Sequence, residues 1–485
     1  MSNFIVQFKL ETEPYCEDIL NKRFEIGRKI YNSLVTLTQK RYKEMTKTKQ
    51  YRSIKLELNE IYFSTSREYI ICKKELNKQL SELYKQYNIN EYSFHKDVKE
   101  IQKHFKENID SFTAQKIATN LWKSYDKFLF GKGKVVHYKK YETLNSLEGK
   151  SNSTGIRFKD NTLFWNGLKI PVMINYNNAY ENQAMQNEIA YCRVVRKFVR
   201  TKYKYYLQIV LKGIAPIKHP IGSGNVGLDI GTQTIAIASQ SDVKIIELAD
   251  KVQNIENQKR LIQRKMDRSK HSMNPYNFNE DGTIKNQGNK KVIWMKSNHY
   301  KEYQNKLKEL YRKQADVRKH QHEILANYII ALGETIYVET MSFSGLQRRS
   351  KKTEQNEKGK FKKKKRFGKS ISNKAPAMLL TIIDRKLKSY GRCLNKIDTY
   401  RVKASQYNHF DEQCNKKKLS ERWNKFGDTK VQRDMYSAFL IMNVDKDLKG
   451  INQRKCNEGF DNFLILHDIE VERLTGCKNL SSIAI

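Results

Sequence analysis

Three acidic side chains stand in apolar surroundings that ordinarily exclude charge: Asp229 within Val226 to Ser239, Glu339 near the end of Thr335 to Thr340, and Asp434 just ahead of Met435, Ala438, Phe439 and Met442. A carboxylate taken out of water is costly unless a cation, a metal ion or hydrogen-bond donors compensate it. Singly, each has a structural explanation. Asp229 could be a salt-bridged scaffold acid or part of a phosphate hairpin, Glu339 a strand-end acid, and Asp434 a helix N-terminal acid favoured by the macrodipole. Together they point to one chemistry. Carboxylate oxygens are hard donors that suit Mg²⁺ or Mn²⁺, with water and substrate phosphate completing the shell. Two such ions roughly 3.5–4 Å apart activate a water and stabilise the leaving 3′ oxygen of a phosphodiester. Asp229, Glu339 and Asp434 are therefore expected to be both metal ligands and catalytic residues.

The elements that must carry them can be read from periodicity. Val226 to Ile230, Thr234 to Ala238 and Val243 to Leu248 read as three strands, with turns at Gly231-Thr232 and Gln240 to Asp242. The β-branched run ending in Glu339 follows a long helical stretch, as a buried parallel strand does. Asp434 opens a buried amphipathic helix that sets its carboxylate at one helix end against the sheet. Three antiparallel strands with an acid in the first resemble the start of a ribonuclease H-like nuclease core. They also resemble the phosphate hairpin of actin-like ATPases, which needs a second glycine-rich hairpin for close approach of the backbone to nucleotide. An Asp-Gly-Thr at Asp281 to Thr283 lies in a polar loop without flanking strands, which favours the nuclease.

Lys and Arg number 92 against 52 Asp and Glu, a formal charge of +40 with pI near 9.7. Self-repulsion on that scale implies a polyanionic partner, and nucleic acid is the natural one. No apolar run approaches the roughly 18 residues of a membrane span, and Met1 to Lys9 has no signal-peptide profile, so a cytoplasmic protein without a membrane partner is expected. The seven cysteines, Cys16, Cys72, Cys192, Cys393, Cys414, Cys456 and Cys477, include no Cys-x-x-Cys pair, which argues against a disulfide framework and against a four-cysteine zinc ribbon.

At 485 residues the chain should hold about three domains. A strand at Phe4 to Leu10 precedes helical stretches at Glu17 to Tyr42, Lys55 to Ile61, Ser66 to Tyr87 and Asp97 to Leu129. Strands then predominate from Lys134 to Lys212, as in a small antiparallel barrel. There Arg196, Lys197, Arg200, Lys202 and Lys204 alternate with aromatics, the mixture of phosphate contacts and stacking faces that RNA or single strands use. An ordinary two-faced sheet would look similar. Residues 251–333 read as a helical hairpin, and the basic tract around Arg348, Arg349, Lys362, Lys363, Lys364, Lys365 and Arg366 reads as a phosphate-binding loop.

These segments resemble the TnpB (OrfB) family, transposon-encoded RNA-guided DNA endonucleases related to compact type V CRISPR effectors. Val226-Gly-Leu-Asp-Ile-Gly-Thr232 is similar to the first RuvC motif, Val338-Glu-Thr-Met-Ser-Phe-Ser-Gly-Leu346 to the second and Gln432-Arg-Asp-Met-Tyr-Ser-Ala438 to the third. The stretch Lys374 to Gly391 resembles the helix between the second and third. The resemblance implies a multidomain α+β fold: a wedge-like β-barrel at 1–14 and 133–221, an inserted helical recognition lobe at 15–132, and a RuvC-like α/β nuclease domain at 222–394 and 428–485 with helical insertion 251–333. It implies a guide RNA from the element's own end, a double-stranded DNA target beside a short adjacent motif, and cleavage at the Asp229, Glu339 and Asp434 site in a prokaryotic, nucleoid-associated setting. Monomer and homodimer both remain open. The family's paired-cysteine ribbon is degenerate at 395–427, where Asn408 and Asp411 replace the first pair and only His409 and Cys414 remain, so zinc is expected to be absent. The alternatives are a guide-RNA-bound repressor with weak or no cleavage and an unguided transposon-associated nucleic-acid-binding protein.

Overall fold

The computed structural model describes residues 3–61, 66–131, 133–285, 288, 292–348, 353, 355, 359, 367–416 and 421–476. It is a mixed α+β protein of two compact units, Met1–Pro216 and Ile217–Ile485. No helix among the described residues is long and apolar enough to cross a membrane.

The first unit runs β1 (Asn3–Leu10), α1 (Pro14–Thr46), α2 (Lys49–Glu60), α3 (Arg67–Gln86), α4 (Glu91–Lys103), α5 (Ser111–Leu129), β2 (Ser146–Glu148), β3 (Arg157–Lys159), β4 (Thr162–Trp165), β5 (Leu168–Met173), α6 (Ala179–Met185), β6 (Ile189–Val199) and β7 (Lys202–Lys212). The strands form one antiparallel sheet of order β2-β6-β7-β1-β5-β4-β3, whose edge strands β2 and β3 are consecutive in the chain. Strict alternation along β1 and β5 turns Val6, Phe8, Leu10, Ile170 and Val172 inward. That face shares a core with Leu20, Phe24, Ile30 and Leu34 of α1, so the helices expected as a separate lobe at 15–132 are packed in part on the sheet. A smaller cluster of Met45, Ile54, Leu80 and Leu83 holds α2 and α3.

One helix was expected over Asp97 to Leu129, and the structure has two, α4 and α5. Asp110 separates them by capping α5: its Oδ1 accepts from the Thr113 amide at 2.8 Å, and its Oδ2 accepts from Trp165 Nε1 at 3.0 Å. A side chain that satisfies a helix's orphan amides starts a new helix rather than extending the old one.

The second unit comprises β8 (Asn225–Ile230), β9 (Thr234–Ser239), β10 (Val243–Glu247), α7 (Glu256–Met273), α8 (Asn298–Leu332), β11 (Thr335–Glu339), α9 (Phe343–Gln347), α10 (Gly368–Lys374), α11 (Pro376–Ser389), β12 (Asn395–Ile397), α12 (Thr399–Val402), β13 (Trp423–Phe426), β14 (Thr429–Gln432), α13 (Arg433–Met442) and α14 (Gln453–Thr475). Its main sheet has the order β10-β9-β8-β11-β12. The first three strands are antiparallel, and β11 and β12 run parallel to β8. One face packs Leu228, Ile230, Ile336 and Val338 against Ile329 and Ile330 of α8 and Leu379 and Ile383 of α11. The other packs Ala236, Ala238 and Tyr337 against Met435 and Phe439 of α13, with Phe460 and Phe463 of α14 beyond.

The two units divide after Pro216. Residues 395–397, expected to open the ribbon-like insertion 395–427, instead form the parallel edge strand β12, because Ile397 is fully buried and registers with Glu339.

Candidate active site

The period of two along a strand decides which side chains can meet. Leu228 and Val338 face α8 and α11, so Asp229 and Glu339, one residue further along each strand, must face α13. In the parallel register Val338 lies beside Leu228, which sets Asp229 and Glu339 next to each other at the C-terminal ends of adjacent strands. Across the other edge of β8, Asp229 is paired with Ala236, a residue too small to cover it.

Helix α13 completes the site because β8 lets it come close. A Cβ at Gly227 would lie 2.0 Å from the Ala438 carbonyl oxygen and 2.4 Å from the Met442 nitrogen, so glycine is the residue that admits backbone-to-backbone contact here. Gln432 starts the helix, its Oε1 accepting from the Met435 amide at 2.8 Å, and its own amide donates to His467 Nε2 at 2.9 Å. Both ends of that cap are buried, which fixes the first turn and Asp434 with it.

The electrostatics follow from the crowding. Burial pushes the Asp229 carboxyl well above the ordinary carboxylate range, with the charge on Glu339 the next contributor and Asp434 after it. Arg433 opposes these effects, as does the Ser437 hydroxyl, which is buried close to Asp229 without closing a hydrogen bond of ordinary geometry. Glu339 is likewise raised by burial. Asp434 has cations of its own: Arg433 approaches Oδ1 at 3.2 Å and Arg422 approaches Oδ2 at 3.5 Å.

The structure thus brings the three acids to one end of the sheet. Among the described residues no three or more His, Cys, Asp or Glu side chains form a metal-holding group. Asp434 is turned to its guanidiniums rather than into a closed cage. The donor chemistry still fits a hard divalent cation: the candidate donor atoms are all oxygens, and Asp229 bears repulsion from two neighbouring acids that Arg433 and Ser437 only partly offset. Mg²⁺ commonly takes only one or two carboxylates and completes its shell with water and phosphate. Arg422, Arg433 and Ser437 were not singled out from sequence. Arg433 adjoins Asp434 and Ser437 lies one turn on, so helical spacing could have flagged both, whereas Arg422 reaches the site only because the β13–β14 pairing sets it opposite Arg433.

The basic residues expected to touch nucleic acid divide. Lys197, Arg200, Lys202 and Lys204 are exposed along the β6–β7 hairpin, with Lys197 beside Lys204. Arg196 is a correction: it is only 2% exposed, bonded to Asn21 Oδ1 at 3.0 Å and Glu25 Oε1 at 3.1 Å, with its guanidinium over the Phe24 and Tyr203 rings. It braces the sheet against α1 and offers nothing to a phosphate. Arg348 is exposed after α9, while Arg349 and Lys362 to Arg366 lie outside the described residues. In the ribbon-like segment His409 is buried among Phe410, Phe460 and Tyr436, its Nδ1 is 2.6 Å from the Tyr436 hydroxyl, and burial lowers its pKa to about 4.

No family model and no curated protein matches the chain. Solved structures to which it is similar include a cryo-EM structure of a Cas12f1–sgRNA–target DNA complex, at 13% identity over 88% of this chain and 82% of that one, with a TM-score of 0.44. A CRISPR-Cas12f ternary complex matches at 12% identity over 89% and 86% of the two chains, with a TM-score of 0.23. A Cas12i–crRNA–dsDNA complex matches at 9% identity over 93% and 64%, with a TM-score of 0.26.

Proposed function

We propose that this chain is an RNA-guided, metal-dependent DNA endonuclease whose catalytic carboxylates are Asp229, Glu339 and Asp434. The observation that carries the reading is their convergence from β8, β11 and α13, three separate parts of the sequence, with Asp229 held in a crowded acidic environment that a bound cation would relieve. The three RuvC-like motifs and the +40 charge support guide-directed nucleic acid as substrate, since base pairing selects sequence while protein cations supply backbone affinity.

In this reading Asp229 and Glu339 hold Mg²⁺ or Mn²⁺, and Asp434 contributes from the helix. The bound ion would supply positive charge opposite the scissile phosphate and an acidified water. The chain's own contribution is positional. The strand ends fix two carboxylates side by side, the Gln432 cap fixes the third, and Arg422 and Arg433 place cations where phosphate oxygens gather charge in the transition state. Zinc has no part in this scheme. The Nδ1 of His409 is taken by Tyr436 and its ring is enclosed by aromatics, and metal analysis after dialysis should find no equivalent of zinc.

The test has two steps. RNA that co-purifies with the chain is sequenced, and a plasmid complementary to it is offered with Mg²⁺. A single RNA species and cleavage that needs its complement support the proposal, whereas random RNA fragments favour an unguided nucleic-acid-binding protein. The grip of Arg422 and Arg433 on Asp434 favours one second reading, a guided DNA binder that cuts weakly. Retention of the complementary plasmid without cleavage would select it.

A further inference from the structure

The hairpin α7–α8 carries a feature that the carboxylate site does not use. Helix α7 is 18 residues long and has no buried residue, and the buried residues of α8, His322, Ala326, Ile329 and Ile330, all lie in its last third. The outer part of the hairpin therefore stands clear of the sheet, held mainly by its own two helices.

On α7 the two kinds of cation behave differently. Its lysines are engaged: Lys259 with Glu256 at 3.6 Å, Lys265 over the Tyr303 ring at 5.6 Å and Lys270 over the Trp294 ring at 3.6 Å. Its arginines, Arg260, Arg264 and Arg268, are exposed and form no ion pair among the described residues. They recur every four residues, so they line one side of the helix about 6 Å apart. Like charges at that spacing repel and destabilise a helix. Asp267 shares that side, yet makes no ion pair with them. The partner helix shows the usual remedy, Arg312 with Glu309 and Asp316, and Lys306 with Glu302. At the C-terminal end of α7 lie the tilted His271–Phe278 ring pair, 4.2 Å apart, and, three residues past the helix, exposed Tyr276. That pair sits in a crossover braced by buried Asn274 and Asn277, which donate to the Met295 and Ile293 carbonyls at 2.9 and 2.8 Å.

We propose that the Arg260–Arg264–Arg268 side of α7 is a docking surface for one nucleic-acid strand, its phosphates on the guanidiniums and an unpaired base against the Tyr276 end. Guanidinium forks suit phosphate oxygens, and a rigid row of them gains most from a ligand whose charges also repeat. An aromatic at the end of such a row accepts a base face without regard to sequence. This inference rests on the nucleic-acid-binding part of the proposed function and not on cleavage.

The experiment compares two triple variants of the full chain, each losing three charges: R260Q/R264Q/R268Q on the stripe, and K301Q/K313Q/K319Q on exposed positions of α8. Affinity for the co-purified RNA, and for a single-stranded DNA of equal length, is measured across salt, with helical content checked by circular dichroism. Three lost phosphate contacts should lower the slope of log K against log salt by roughly two and weaken binding on the order of tenfold or more in the stripe variant. The control should change little, and whichever ligand shows the larger loss identifies the strand that docks. Equal losses in both variants would reduce the effect to net charge and overturn the proposal, as would unchanged binding by the stripe variant. A wild-type chain that binds neither ligand would instead sink the proposed function itself, together with this inference.

Discussion

Asp229 shows how one side chain can trade stability for chemistry. Its carboxyl is raised in the folded state, so the native chain binds a proton that the unfolded chain has already lost. Without divalent cation, stability should therefore fall as pH rises from the ordinary carboxylate range through the folded pKa, and recover on acidification. Asp229→Asn should raise the Tm of the metal-free chain by about 2–4 °C, the order expected for ~1 kcal/mol in a unit of this size, while Mg²⁺-dependent cleavage is lost. Differential scanning calorimetry and a plasmid assay check the two halves, and a lower Tm would mean that Asp229 is compensated by the protein itself. Arg196 makes the opposite case. Arg196→Ala leaves Glu25 half-buried with one cation fewer and should cost about 3 kcal/mol in chemical unfolding, without altering nucleic-acid affinity beyond the loss of fold. The burial of Arg196 was legible in principle, since Cys192 and Val194 precede it at a period of two on the inward face. The basic and aromatic composition of the segment obscured that parity.

At the scale of elements, the site depends on how near α13 comes to β8. Gly227→Ala would force the helix outward against two backbone atoms that have no freedom to yield. A loss above ~4 kcal/mol is expected, or failure to fold, with Asp434 displaced in whatever remains. A variant that cleaves and melts like the parent would show that the helix can shift. Strand parity, the β-branched run ending at Glu339 and the apolar face behind Asp434 were all readable in sequence, because each is a repeating local signal. The rest was not. Residues Asn395 to Ile397 are too few to establish a period, and their place in the main sheet is set by pairing with β11. Arg422 reaches Asp434 from the open end of the β13–β14 hairpin, a contact that no local pattern announces. The break between α4 and α5 was signalled by Asp110, whose capping role outweighs the helical propensity on either side.

Across the whole molecule the charge of +40 sets the expectation for association. Binding to RNA or DNA should weaken steeply between about 50 and 200 mM salt, by a factor on the order of 10³ or more if six or more phosphates are contacted. Titrations at a series of ionic strengths measure this, and a flat response would contradict a phosphate-dominated interface. The exposed cations of the β6–β7 hairpin and the arginines of α7 belong to different units, so each can be neutralised separately and its share of the slope assigned.

The pairing of β1 has a consequence for synthesis. Asn3 registers with Lys212, and β1 lies between β5 and β7 rather than at an edge. At roughly 5–20 residues per second, the opening strand waits some 10–40 s after leaving the ribosome before its principal neighbour exists. Until β5 emerges Val6, Phe8 and Leu10 have no strand to pair with, and until β7 follows they lack their longer neighbour, so whatever shelters them on the nascent chain governs how much folded protein a cell obtains.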